Sequence, residues 1–406
     1  MQQPEGFEVG RPDYVCRLIK SLYGLKQAGR VWNRTLHAVL TSMGFSHVQS
    51  DHGLYTLLWD DVKVFMTVFV NDIMFAGSDG TLIDSIVKNL SLHFKLYDFG
   101  PTTQLLGLEI HRNCPNCCLN LSQGQYIANL LQEHGMHHCK PISTPLNPGS
   151  CLSTSMSPQS AAEVIEMCQV PYISVVGSLM YLAVTTRPDI AYAARVLTRY
   201  NSNPGPSHWQ AGKHVLHYLQ GTMDYRITYQ PSDLPEPFIT YSDADHEGNP
   251  DNGKSTGGYV VKIGSGAVSW SSKLQSLVAL STTEVEHIAA VEAAKEILWM
   301  HQFMGEIGYD VSGPSLLWMG NQSTIAVSKI PEHYGRMKHL SLRLFWIRDA
   351  VQEGLIAPVF VPTQDMAADI FTKALNHLKF QKCIAMHGLT STQRSGVLHW
   401  HGGVLL

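Results

Sequence analysis

The sequence predicts an α+β protein built from more than one domain, and three observations carry that expectation. Its 406 residues exceed what one ordinary core serves, so two or three domains of roughly 100–200 residues each are expected. Apolar residues make up 44% and charged residues 15% of the chain, the balance of a sequence that folds rather than stays disordered. The hydrophobic period also changes along the chain, from helical to strand-like and back, in segments separated by turn residues.

The first predicted element is a helix over Ala28–Met43, with Trp32, Leu36, Val39, Leu40 and Met43 on one face and Gly44 as its stop. Paired strands follow at Leu54–Trp59, Val62–Val70 and Ile73–Gly77, turning at Asp60–Asp61 and around the polar pair Asn71–Asp72. A helix over Leu82–Phe94 places Ile83, Ile86, Val87, Leu90 and Phe94 together. A hairpin-like segment, Leu105–Leu121, then leads to a helix near Tyr126–His134.

Lys140–Pro171 is rich in Ser, Pro and Thr and reads as a linker, and Val175–Val184, Ile190–Tyr200 and His208–Leu219 read as a helical subdomain. A second break, Pro231–Pro237, precedes a strand at Phe238–Ser242, a hairpin region through Trp270, a long helix from Ser281, a strand at Ser315–Met319 and a helix from Asn321. Strands alternating with helices in this way predict a mixed sheet flanked by helices. No fixed-period repeat is visible, and the last residues, GVLHWHGGVLL, have no readable periodicity.

Composition excludes several classes. The apolar run Val64–Val70 is far short of the roughly 20 residues a membrane helix needs, and no charged-then-apolar leader opens the chain. Neither membrane insertion nor secretion is expected. Eight cysteines, clumped at Cys114, Cys117 and Cys118 and otherwise scattered, do not form a disulfide framework for a chain this long, which points to a reducing, intracellular compartment. Nucleus and cytoplasm are not distinguished. The net charge of -4 lacks the basic bias typical of nucleic-acid binders, so nucleic-acid chemistry has to be argued from sites.

Three acids carry that argument. Asp243 ends an apolar strand, Glu286 opens the long helix, and Asp369 lies in the helix-like run MAADIFTKAL. Dispersed carboxylates that converge on one sheet edge suit divalent metals, because phosphodiester hydrolysis by two Mg²⁺ ions needs several hard oxygen ligands holding the ions about 4 Å apart. Within STTEVEH, Ser281 and Glu284 have the spacing of a capping box, which assigns Glu284 to the helix start. Glu286 instead shares the inward stripe of Ala293, Ile297, Met300 and Met304, where a carboxylate needs a compensating cation. Taken singly, each acid reads as a solvated surface carboxylate, and only the pattern around them overturns that reading.

Two other signals are weaker. His111, Cys114, Cys117, Cys118, His134, His137, His138 and Cys139 invite a zinc assignment, but CPNCC reads as a hairpin turn and the second half lacks ligand spacing. Tyr23, Trp32, Tyr55 and Trp59 could stack on bases, yet their spacing on helix and strand faces assigns them to core packing.

The segment YSDADHEGNPDNGKSTGGYVVKIGSGAVSWSSKLQSLVALSTTEVEHIAA, followed by GNQSTIA, MKHLSLRLFWIRDAVQEGLI and VPTQDMAADIFTKAL, closely resembles the ribonuclease H domain of copia-type retrotransposon Pol polyproteins. Upstream, SLYGLKQAGRVWN, FVNDIMFAGSD, LLGLEIHRN, LSQGQYIANLL, VGSLMYLAVTTRPDIAYA and HVLHYLQGT resemble the same family's reverse transcriptase palm and the region after it. The resemblance implies a truncated reverse transcriptase palm at 1–140, a linker and helical thumb/connection at 141–236, a ribonuclease H-like mixed sheet at 237–376 and a C-terminal tail at 377–406.

It also implies Mg²⁺ as cofactor, with Asp243, Glu286 and Asp369 as ribonuclease H ligands and catalytic residues. The fourth acidic position falls on Gly320, which has no side chain to ligate with. The palm turn, typically Tyr or Phe, Val and two Asp, reads here Phe69, Val70, Asn71, Asp72, so Asp72 is retained and Asn71 is neutral. The third palm carboxylate belongs upstream of the PEGF segment near the start of this chain, and the fingers with it. Further departures are His246, Leu274, Ser341 and Phe345, while Lys254, Lys273, Lys338 and Arg343 remain as candidate phosphate contacts.

The implied function is therefore that of an RNA-directed DNA polymerase and RNA–DNA hybrid ribonuclease by ancestry. The polymerase is expected to be inactive and the ribonuclease impaired or inactive. The alternative is a non-catalytic nucleic-acid-binding protein or an inert transposon relic. The implied partner is an RNA–DNA hybrid or other nucleic acid, held weakly or no longer, with no membrane partner.

Overall fold

The computed structural model describes residues 1–11, 13–22, 24–232, 236–311, 313–329 and 341–391. Tyr23 and Lys338 therefore lie outside the described residues. The chain forms two compact units, one holding 1–101 with 302–309, the other holding 102–301 and the described residues from Asp310 onward.

In the first unit, α1 (Ala28–Ser42) ends before Gly44, whose φ of 90° takes the left-handed conformation that stops a helix. An antiparallel meander follows: β1 (Ser46–His47), β2 (Leu54–Trp59), β3 (Val62–Phe69) and β4 (Asp72–Gly77). Asp60 and Asp61 both have positive φ, the backbone that matches a two-residue hairpin turn to strand twist. The Asp79 carboxylate accepts the Thr81 and Leu82 N–H groups and so caps α2 (Gly80–Ser91). Leu36 and Leu40 of α1 pack with Tyr55, Leu57, Val64 and Met66 of the sheet and with Ile86 and Leu90 of α2.

The second unit begins with β5 (Gln104–Leu105), β6 (Leu108–Asn113) and β7 (Cys118–Ser122). The helices α3 (Gly124–Glu133), α4 (Ala161–Cys168), α5 (Tyr172–Thr185), α6 (Ala191–Thr198) and α7 (Pro206–Gln220) follow, and then β8 (Tyr225–Tyr229). The later part runs β9 (Ile239–Ala244), β10 (Thr256–Ile263), β11 (Gly266–Leu274), α8 (Thr282–Glu306), β12 (Ser315–Met319), α9 (Gln322–Lys329), α10 (Ser341–Gln352), β13 (Ile356–Phe360), α11 (His377–Met386) and β14 (Leu389–Ser391). Two five-stranded sheets result. One is antiparallel in the order β14-β8-β7-β6-β5; the other is mixed in the order β11-β10-β9-β12-β13, with β12 parallel to both β9 and β13.

Three sequence-based expectations differ from this picture. The division between compact units falls at residues 101 and 102 rather than at 140 and 141. The expected linker over 140–171 contains α4, whose start is capped by the Ser160 hydroxyl accepting the Glu163 N–H. Of the expected tail, 377–391 form α11 and β14, and β14 pairs with β8, a strand more than 150 residues earlier. A physical reason unites them: Ile127, Tyr172, Leu179, Ala194 and Leu216 share one buried core with Val260, Phe371, Cys383 and Leu389. The helical region and the mixed sheet are thus two faces of one interior. Among the described residues no single helix is long and apolar enough to cross a membrane.

Candidate metal centre

β9 is the middle strand of the mixed sheet, antiparallel to β10 on one side and parallel to β12 on the other. Asp243 lies near its end, opposite Gly258 of β10. Gly258 has no side chain for a reason: a methyl group there would fall 2.5 Å from Phe371 Cβ. That close approach lets the short 3₁₀ helix Ala367–Phe371 lie against β10, with Asp369 buried in it. Glu286 enters from the first turns of α8. Asp243, Glu286 and Asp369, dispersed in sequence, thus converge at one end of the sheet.

Burial and repulsion among the acids act on Asp243 and Glu286 in this cluster. Burial pushes the Asp243 carboxyl up to about 7, and the nearby Asp369 adds to the rise, against the opposing pull of Lys373 and the Thr372 hydroxyl. Burial, together with the charges of Asp243 and Asp369, pushes Glu286 up to about 9. Thr372 Oγ1 donates to Asp243 Oδ2 at 2.5 Å. Lys373 Nζ lies 2.7 Å from Asp369 Oδ1 and 3.6 Å from Asp243 Oδ2, and Lys379 Nζ lies 3.0 Å from Asp369 Oδ2. Glu286 Oε2 is buried without a hydrogen-bond partner.

Three carboxylates, two of them with a buried oxygen that accepts no hydrogen bond, suit a divalent ion in their chemistry. Among the described residues, though, no three His, Cys, Asp or Glu side chains stand at the spacing of a metal cage. The Lys373 ammonium stands among these carboxylates instead.

Gly320 directly follows β12. The register Met319 to Ser242, continued by one residue, sets it beside Asp243. A Cβ there would meet Met366 Cε at 3.5 Å, an ordinary contact distance, without a clash. Asp245, two residues beyond Asp243, is a further acid of this region: burial pushes it up to about 6 against the Thr256 N–H and the charges of Arg199 and Lys373. Glu284 caps α8 as its spacing predicts, its N–H donating to Ser281 Oγ while its own Oε2 accepts the Leu280 N–H.

Asn71 and Asp72 belong to the other compact unit, at the exposed tip of the β3–β4 hairpin, where Phe69 pairs with Asp72. Val70 there has φ of 55°, a backbone that a β-branched residue rarely adopts. Trp32 Nε1 donates to the Val70 carbonyl at 2.9 Å and holds the turn. Cys114 and Cys117 are exposed at the hairpin turn between β6 and β7. Of the expected phosphate contacts, Lys254 is half-buried and Lys273 exposed. The sequence reasoning missed Thr372, Lys373 and Lys379; the first two follow Asp369 at i+3 and i+4 in FTKAL, a spacing that one turn of helix brings back to the same face.

A five-stranded mixed sheet with its acid-bearing strand in the centre, a long helix bringing a glutamate and a short helical turn bringing a second aspartate define a ribonuclease H-like domain, here sharing its core with a helical region. Residues 1–148 match the reverse transcriptase (RNA-dependent DNA polymerase) family. The chain is 40% identical over 394 residues, 96% of its length, to the retrovirus-related Pol polyprotein from transposon TNT 1-94 of Nicotiana tabacum, and covers 29% of that protein. It is 37% identical over 391 residues to the Pol polyprotein from transposon RE1 of Arabidopsis thaliana, again over 96% of its length, and covers 26% of it. With the putative transposon Ty5-1 protein of Saccharomyces cerevisiae it shares 34% identity over 299 residues, 73% of this chain and 94% of that one. The chain belongs to the copia-type retrotransposon Pol polyproteins, and it spans less than a third of the length of the tobacco and Arabidopsis members.

Proposed function

We propose that the second unit is a divalent-metal ribonuclease acting on the RNA strand of an RNA–DNA hybrid, weakened by the glycine at position 320. The observation that carries this reading is the convergence of Asp243, Glu286 and Asp369, with Asp243 and Glu286 held partly protonated by burial and by their neighbours. Brought from their present spacing to ligating distance, Asp243, Glu286 and Asp369 would hold Mg²⁺, which when bound activates water and steadies the leaving oxygen. Thr372 orients the Asp243 carboxylate, and the close packing of the 3₁₀ turn on β10 fixes Asp369. Asn71, an amide where the family has a carboxylate, supports an inactive polymerase hairpin beside a retained Asp72.

The test is Mg²⁺- and Mn²⁺-dependent cleavage of a labelled hybrid by wild type, Gly320→Asp and Gly320→Asp/Glu286→Gln. Wild-type cleavage near background, gained in the single variant and lost in the double, is expected. Each ~1.4 kcal/mol of transition-state stabilisation restored is tenfold in rate. Cleavage by wild type that Glu286→Gln leaves unchanged would overturn the assignment.

A further inference from the structure

Lys373 is partly exposed, yet its ammonium faces buried acids. Its Nζ lies 2.7 Å from an oxygen of Asp369 in the 3₁₀ turn and within ion-pair range, 3.6 Å, of an oxygen of Asp243 in β9. The two carboxylate side chains are 2% and 8% exposed while the lysine side chain is 42% exposed, so the cation sits on their solvent side. Lys379 takes the other Asp369 oxygen but differs in placement: its side chain is 17% exposed, it projects from α11, and its ammonium also donates to the Thr363 carbonyl. One lysine is anchored, and the other has a solvent-facing route by which its long stem can swing away.

We propose that Lys373 is a displaceable cation of the carboxylate cluster, a positioning residue that neutralises the Asp243–Asp369 pair and must leave for a divalent ion to be held. The lysine and a metal ion compete both sterically and electrostatically. A metal ion needs lone pairs of Asp243 and Asp369 at about 2.0–2.1 Å, and Nζ engages oxygens of both. Two cations sharing those oxygens repel strongly at this range. Glu286 feels the lysine's charge but its buried Oε2 accepts no hydrogen bond, and that oxygen is one a divalent ion would complete. The proposal rests on the reading of this cluster as a metal centre.

The test uses the full chain as wild type, Lys373→Met, Lys373→Arg and Glu286→Gln, with Mn²⁺ binding followed by electron paramagnetic resonance of the free ion. Removing the charge should tighten Mn²⁺ binding about tenfold or more, whereas Lys373→Arg, which keeps the charge, should not. Because the methionine variant leaves buried acids without their cation, a second measurement uses the native protein. Acetylation of lysines, read by mass spectrometry with and without Mn²⁺, should label Lys373 several-fold faster when Mn²⁺ is bound, relative to Lys295, which pairs with Glu292 on the exposed face of α8. If wild type and Lys373→Met bind Mn²⁺ equally and Lys373 labelling ignores the metal, the proposal fails while the metal centre stands. If neither binds Mn²⁺ better than Glu286→Gln, the metal-centre reading fails and the proposal with it.

Discussion

Asp189→Ala should unfold the second unit more readily than any single deletion of a surface charge. Arg187 and Asp189 are both fully buried, joined by Nε to Oδ1 at 2.9 Å and Nη2 to Oδ2 at 2.7 Å. Tyr218 Oη donates to Asp189 Oδ2 at 2.6 Å, and Arg187 donates to the Thr222 carbonyl and hydroxyl at 3.0 and 2.7 Å. Burial opposes the guanidinium charge, yet the Asp189 carboxylate outweighs it and holds the Arg187 pKa above its ordinary value. Removing Asp189 strands that charge among the Tyr218 and Tyr225 rings, which lie 5.6 and 5.4 Å away.

Breaking a buried pair this way costs about 3–5 kcal/mol, a large share of the ~5–15 kcal/mol that holds a domain together. At roughly 2–4 °C per kcal/mol, the midpoint should fall by roughly 6–20 °C in calorimetry. Arg187→Met should cost a similar amount. The double change Arg187→Met/Asp189→Leu should cost less than either alone, because no charge is then left unpaired. Single variants that each cost under about 1 kcal/mol, or a double variant that equals their sum, would refute the reasoning.

Three further outcomes follow from the same geometry. The folded-state pKa values of Asp243 and Glu286 lie above those of free carboxyls, so the native state keeps protons that the unfolded state releases. In EDTA, stability should be greatest below about pH 4 as far as these two groups are concerned, and lost as pH rises through about 7 and then about 9; thermal melts across that range should flatten in Glu286→Gln. His387 acts in the opposite sense: burial pushes it down to about 4, so its contribution is present above about pH 6.5 and lost as pH falls through about 4, and His387→Gln should remove that part of the acid limb. Val70→Asn, which tolerates positive φ, should stabilise the first unit by ~1 kcal/mol; urea unfolding read by Trp32 fluorescence checks this, and a destabilised variant counts against strain at the hairpin tip.

What was legible in the sequence was local. Ser315–Met319 is a strand with the predicted bounds, and the apolar stripes of α1 and α8 mark helices because period and stop signals sit within a dozen residues of each other. That Asp243, Glu286 and Asp369 would lie together was readable only through motifs that resemble a family and not through any property of an isolated aspartate. What was not legible is set by contacts distant in sequence. Trp270 Nε1 donates to the Ala183 carbonyl at 2.7 Å, and Arg195 Nε donates to the Ser272 carbonyl at 3.2 Å, fastening α5 and α6 to β11 across a boundary that the proline-rich break at 231–237 had suggested. The role of Lys373 is not legible in the sequence, because a lysine near a helix is by default solvated, and only the fold shows which two acids its ammonium meets.

Those same distant contacts also brace the candidate metal centre. The segment that carries Asp369 is braced by groups outside 237–376: Asp189 lines the same small cavity as Ile370 and Lys373, Lys379 bonds Asp369 itself, and His387 Nε2 contacts the Ala367 carbonyl at 3.0 Å while its ring stacks on Phe371 at 5.1 Å. A segment ending at residue 376 would lose Lys379 and His387, and one beginning at 237 would lose Asp189 and the apolar faces of α5, α6 and α7. Residues 237–376 expressed alone should therefore show no cooperative unfolding, while 102–391 should show one transition by calorimetry, since cooperative unfolding needs the whole core. A sharp transition in the short segment would mean that the mixed sheet has a core of its own and that the helical region merely rests on it. The predicted result has a consequence for function: loss of activity on truncation would report a lost brace, not a lost ligand, and only substitutions in the full chain, such as Gly320→Asp against Glu286→Gln, can tell the two apart.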